Sequence, residues 1–146
     1  MDPPSAEFAF DGVIGKWRVE EDSDKNNFIE VTKGRKENRY HVLYWEKGGT
    51  NPTYESYVHF SKLNSYIFLN AACWDEYRAN GYYQQAGYMF FKVVYSTPDF
   101  SKMAFTMVND TTLGDLKSSL EVFNRIAKNQ NNKGYFSDTT HLVKIQ

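Results

Sequence analysis

Gly87-Tyr88-Met89-Phe90-Phe91-Lys92-Val93-Val94-Tyr95 is the most apolar run in the chain and carries a single charge. It is rich in β-branched and aromatic residues. It is bounded by Gly87 on one side and by Thr97-Pro98-Asp99 on the other. That is strand length, too short for a buried helix. Both faces are apolar: Tyr88, Phe90 and Val94 alternate with Met89, Phe91, Val93 and Tyr95. A strand of this kind belongs in a sheet covered on both sides, or in a small barrel whose outer wall is partly covered.

The flanking segments supply the partners. Gly15 to Glu20 alternates cleanly, with Trp17 and Val19 on one face and Lys16, Arg18 and Glu20 on the other. Phe28 to Lys33, Arg39 to Glu46, Tyr54 to Ser61 and Tyr66 to Cys73 read as further strands. They are separated by the polar stretch Asp22 to Asn27, the charged tip Lys33 to Asn38, the breaker-rich Gly48 to Pro52 and the short Lys62-Leu63-Asn64. Lys102 to Val108 follows the opening stretch, and Thr140 to Ile145 alternates again at the end of the chain.

Between these last two segments the period changes. Leu113, Leu116, Leu120, Phe123, Ile126 and Ala127 share one helical stripe. Thr112 and Asp115 have capping-box spacing and Glu121 and Arg125 stand four apart, so a helix is expected over 112–128. The stripe lacks the basic face of a membrane helix, and docking on the protein's own sheet is expected.

Short turns make neighbouring strands antiparallel, which describes a meander. The seventh strand runs parallel to the first, so an eighth of opposite sense fits between them and closes the sheet without edges. The expected fold is all-β: an eight-stranded antiparallel up-and-down barrel with the helix packed outside before the last strand. It forms one domain over 1–146, with residues 1–7 frayed or disordered and Phe8 to Ile14 folded over one end.

Composition narrows function by exclusion. A formal net charge of −1 and a pI of about 6.3 carry no footprint for nucleic acid or an anionic membrane surface. No transmembrane run is present, and no secretory h-region precedes the domain, so cytoplasmic and exported locations both stay open. Cys73 is the only cysteine and reads as a small buried hydrophobe. His41 and His59 read as cross-strand neighbours if strands three and four form a hairpin, with Glu55 or Glu46 as loosely placed third ligands. Hydrogen-bonding histidines are the simpler reading, and no metal or cofactor is expected. No phosphate loop or nucleophile elbow occurs; a barrel enzyme is a third reading, with Tyr57, His59, Tyr44 and Arg39 as candidates that no spacing selects, so no catalytic residue is assigned.

Gly15-Lys16-Trp17 on the first strand, preceded by a segment that closes one end, resembles the opening of lipocalins and related calycins. The resemblance implies an eight-stranded barrel that holds a small hydrophobic molecule, with Trp17 as a plug at the closed end. A lipocalin Thr-Asp-Tyr motif is absent, and no helix pair separates the first two strands. A divergent, bacterial-type lipocalin-like domain fits best. Parity then places the loops Asp22 to Asn27, Glu46 to Pro52 and Asp75 to Ala86 at the open mouth. The last of these, long, irregular and rich in Tyr, stands where a lid would be.

At 17% aromatic, with 11 Tyr, the chain is suited to cavity walls and half-exposed faces. Strand alternation selects Tyr44, Tyr57, Phe68, Tyr82, Tyr83 and Phe90 as ligand-binding wall and mouth residues. The alternative is a filled barrel working as a structural or protein-interaction module, with exposed Tyr and Phe forming a partner or homodimer surface. Small residues at Ser56, Asn70, Ala71 and Ala72 favour a void, whereas Phe60, Phe68, Phe90 and Phe105 would fill it. Which set points inward is left open, because a slip of one residue exchanges them.

Overall fold

The computed structural model describes residues 7–35, 37–46, 48–63, 65–77, 83–110, 113 and 119–146, with the backbone alone at 7, 63, 72–77, 83–88, 119, 120 and 123. Its strands are β1 (Glu7–Phe8), β2 (Gly15–Val19), β3 (Phe28–Lys33), β4 (Arg39–Trp45) and β5 (Tyr54–Leu63). They continue as β6 (Tyr66–Tyr77), β7 (Tyr83–Ser96), β8 (Lys102–Met107) and β9 (Thr140–Lys144), with helix α1 (Ser119–Lys128) before the last strand.

Strands β2 to β9 form a closed antiparallel up-and-down barrel. Each strand pairs with the next. Closure comes from β9, which lies between β8 and β2, with Trp17 opposite Lys144 and Met103 opposite Leu142. The two-residue β1 adds to the end of β5, Phe8 opposite Phe60. Glu7, expected to fray, is therefore held by backbone pairing, and residues 1–6 lie outside the described part.

Two expectations along β6 and β7 are corrected. The stretch Asp75 to Ala86, read as an irregular lid, is largely strand: β6 runs to Tyr77 and β7 starts at Tyr83. Its charges, glycine and turn-forming residues concealed a hairpin whose backbone groups pair with each other, Trp74 opposite Gln85 and Tyr77 opposite Tyr83. Only its tip, 78–82, stays outside the described residues. Pairing of β6 with β5 ends at Cys73 opposite Ser56, so beyond that point the hairpin continues as a two-stranded ribbon past the barrel wall. The second correction concerns Tyr95. A register shift between Val93 and Tyr95 breaks the alternation, so Tyr95, read as sharing a face with Val93, is exposed while Val93 is buried.

The closed end is a packed plug. Gly15 opens β2 with a φ of +144°, and a Cβ there would stand 2.5 Å from the Gln146 carbonyl oxygen, so both conformation and space require glycine. Trp17 is 1% exposed, and its indole Nε1–H donates to the Val13 carbonyl at 2.8 Å across the one-turn 3-10 segment Asp11–Val13. The Lys144 ammonium lies 5.2 Å from the Trp17 ring and donates to the Gly12 carbonyl at 2.8 Å. Phe10 wedges against Phe60 and Phe100, with ring centroids 4.9 and 5.1 Å away. The Tyr40 hydroxyl accepts the Phe10 N–H and donates to Asp11, whose carboxylate also pairs with Lys33.

Helix α1 packs on the outer wall. Ile126 and Leu113 bury Phe68 of β6 in a cluster with Val108 and Tyr135, bordered by Phe90, Val122 and Phe136. The Tyr135 hydroxyl donates to Asp110 at 2.7 Å, and Arg125 of the helix approaches the same carboxylate at 3.7 Å. This second core explains why β6 and β7 need apolar residues on both faces. The helix start expected at 112 and the stripe residue Leu116 fall outside the described residues.

Exposed turn carboxylates make stability sensitive to acid. Tyr40 and then Lys33 hold Asp11 below the ordinary carboxylate range, and Tyr44 and Asn27 do the same for Asp22. Ser101 and Thr97 lower Asp99, and the His141 backbone N–H lowers Glu21. A depressed folded-state pKa contributes stability that is full above the unfolded value and lost as pH falls through the folded one. Urea midpoints should therefore hold steady near neutrality and fall below the ordinary values of 3.8 and 4.5. Asp11→Asn should flatten that acid limb. An unchanged limb would mean that Asp11 titrates alike in both states.

Candidate functional site

Inside the barrel lies a cavity of about 310 Å³. Its floor is the plug, formed by Val13, Trp17, Phe60 and Met103. The middle of the wall comes from the inward positions of neighbouring strands, among them Val31, Val42, Val58, Ala71 and Phe91. Towards the open end stand Ser56, Met107, Ser137 and Thr140. Among the described residues, no charged side chain lines it. Ser137 Oγ is already engaged, accepting the Met107 N–H at 2.8 Å and donating to the Asp138 carbonyl at 3.2 Å.

The small and large residues that the sequence could not sort divide between the two faces. Ser56 and Ala71 point in, as do Phe60 and Phe105. Phe68 is in the core beneath the helix with Phe90 against it, and Asn70 binds Ser61 and backbone carbonyls outside the cavity. The interior is therefore filled at the closed end by aromatics and left partly empty above them by the small residues.

Of the residues selected by alternation, Tyr44 stands at the mouth. It lies two positions beyond the lining residue Val42 on the same face of β4, directly opposite Tyr54, with ring centroids 6.2 Å apart. Its hydroxyl donates to Asp22 at 2.8 Å and accepts from Asn27 at 3.2 Å, tying the β2–β3 loop to the rim. Burial first, and then the Asp22 hydrogen bond, push its pKa up to about 12. Tyr57 faces outward and is 46% exposed. Phe68 and Phe90 pack with the helix on the outer wall. Tyr82 and the Tyr83 side chain lie outside the described residues. The structure thus brings none of the other described candidates to Tyr44.

Sequence reasoning missed Thr140, Met107 and Phe91 as lining residues. A signal existed in Trp17. Its face continues across the registers Trp17–Ile29, Ile29–Tyr44 and Tyr44–Tyr54, and β5 then alternates inward from Tyr54. Knowing those registers in advance would have required the turn geometries.

The histidines sit elsewhere. His41 is opposite Tyr57 and His59 opposite Arg39, so the two are not direct cross-strand partners as the sequence suggested. On this outward face, His41 Nε2 contacts the Glu55 carboxylate, which is 4% exposed, and the His41 and Tyr57 rings stack at 4.8 Å. The Tyr57 hydroxyl donates to the same Glu55 oxygen at 3.2 Å, while the other carboxylate oxygen is buried and finds no hydrogen-bond partner among the described residues. Among the described residues, Glu20, Glu21 and His141 bring three donor atoms within 4.8 Å of one another. They are at the surface, and both the ring and the backbone N–H of His141 already engage Glu21.

No described helix is long and apolar enough to cross a membrane. Compared with known proteins, the chain gives no significant match to a family model, a curated protein or a solved structure. The likeness to calycins therefore stands at the level of architecture: a closed eight-stranded up-and-down barrel with one short helix outside.

Proposed function

We propose that the protein binds a small apolar molecule inside the barrel. The cavity of about 310 Å³ with its uncharged, mainly aliphatic and aromatic wall carries this reading. Its size is at the lower end of ligand pockets and corresponds to about ten water volumes, enough for a short chain or one to two rings. The driving force is burial of ligand surface at about 25 cal/mol per Å² of apolar area. Tyr44 supports the reading as a rim residue, and Trp17 and Phe60 as the floor.

Native mass spectrometry of the purified protein, beside thermal unfolding with 1-decanol and naphthalene, tests it. The expected result is a retained small-molecule mass, or a midpoint that climbs with probe concentration, by about 2.7 kcal/mol of stabilisation at a hundredfold excess over Kd. A bare mass together with an unmoved midpoint for every apolar probe would count against it. A second reading, a protein-interaction module, draws on Val94 and Tyr95, which are adjacent and 49% and 42% exposed. It predicts a concentration-dependent dimer in the same spectra.

A further inference from the structure

We infer that the barrel selects its ligand by head group, taking an ammonium-headed amphiphile in preference to the carboxylate of the same chain length. The inference rests on the apolar-ligand reading above and adds the chemistry of the mouth to it. Among the described residues, nothing that lines the cavity can neutralise a charge: the polar ones are Ser56, Ser137 and Thr140. An ionised group left unpaired there would carry a large desolvation cost. A charged head must therefore stay at the rim while the chain fills the barrel.

Among the described residues, the rim offers carboxylates beside aromatic surface. Asp22 sits on the Tyr44 hydroxyl at 2.8 Å, and both its oxygens lie 3.3 Å from the Asn27 amide, contacts that keep it ionised. Glu46 adds a second negative charge that acts on the same Tyr44 hydroxyl. Tyr44 and Tyr54 stand beside each other at a 36° interplanar angle, and Tyr54 is 50% exposed, so aromatic surface borders the carboxylate. A carboxylate next to aromatic rings attracts an ammonium both through charge and through the ring quadrupole. A ligand carboxylate meets the same groups as repulsion. Lys25 of this loop donates to the Glu20 carbonyl at 2.8 Å and also acts on Asp22 through its charge, so a ligand ammonium competes with it there.

Titration calorimetry of the full chain with decylamine, 1-decanol and decanoate, each below its aggregation threshold and near pH 7, separates the outcomes. Decylamine should bind at least about tenfold more tightly than decanoate. That ratio should shrink when ionic strength rises from about 0.01 to about 1 M, as the screening length drops from about 30 to about 3 Å. Asp22→Asn should lower the decylamine-to-decanoate ratio, and the salt series on the unaltered chain carries the test if that variant folds poorly. Equal affinities, or tighter decanoate, would overturn the head-group inference while leaving a ligand-binding barrel in place. Failure of all three probes to bind would instead remove the apolar-ligand reading beneath it.

Discussion

Replacing Trp17 by alanine should destabilise the protein by about 3–5 kcal/mol, the range for deleting a large buried aromatic. Trp17 is 1% exposed and belongs to the core cluster that closes the barrel's end. Its ring covers the barrel floor, its Nε1–H holds the Val13 carbonyl, and Lys144 bridges its face to Gly12. Removing it enlarges a cavity that is already present, so the surrounding side chains have little to collapse onto. For a domain of this size the loss corresponds to a fall of about 10–15 °C in Tm. Trp17→Phe keeps a ring and loses the hydrogen bond, and should cost about 1–2 kcal/mol. Urea unfolding of the three proteins measures both steps. A loss below about 1 kcal/mol for the alanine variant would show that the 3-10 segment seals the barrel without it.

The second large effect concerns the cavity. Ala71→Phe should abolish the thermal response to 1-decanol, weakening binding by about a hundredfold or more, and should leave stability within about 1.5 kcal/mol of the parent. Ala71 is 3% exposed on the inner wall, with Val58 opposite it on β5 and Met89 opposite it on β7. A phenyl ring there projects into the 310 Å³ void instead of into packed side chains. Thr32→Phe is the control. Thr32 is exposed and follows the inward Val31, so its ring would stand outside the barrel and leave the probe response as it was. Persistence of the response in Ala71→Phe, with parent-like stability, would place the bound probe on the outer surface.

The two variants also mark where sequence reading stops. Trp17 was legible as a plug through the resemblance that Gly15-Lys16-Trp17 carries and through its place beside the end that the resemblance closes. Ala71 was not. Ala71 and Asn70 are adjacent and small, and only the register Val58–Ala71 sends one inward and the other to Ser61 on the outer wall. Phe90 and Phe91 pose the same problem one strand later. Both are apolar, both are needed, and their destinations, the helix cluster and the cavity, are equivalent in hydrophobicity.

The apolar period of two, the switch to a helical stripe near Leu113 and the polar turns determined an antiparallel meander with one external helix. Parity alone determined that the last strand closes it. These are properties of neighbours along the chain, set by backbone geometry and side-chain spacing. Tertiary structure decided the rest. Hydrogen bonding between β6 and β7 turned a polar, Tyr-rich stretch into strand, and a register shift at Val93 sent Tyr95 outward. The helix covered Phe68, and the Asp22 loop settled onto Tyr44. Each of these depends on partners in other strands, loops or the helix, whose register is fixed by packing, because a shift of one residue costs nothing in local pattern yet exchanges wall for cavity.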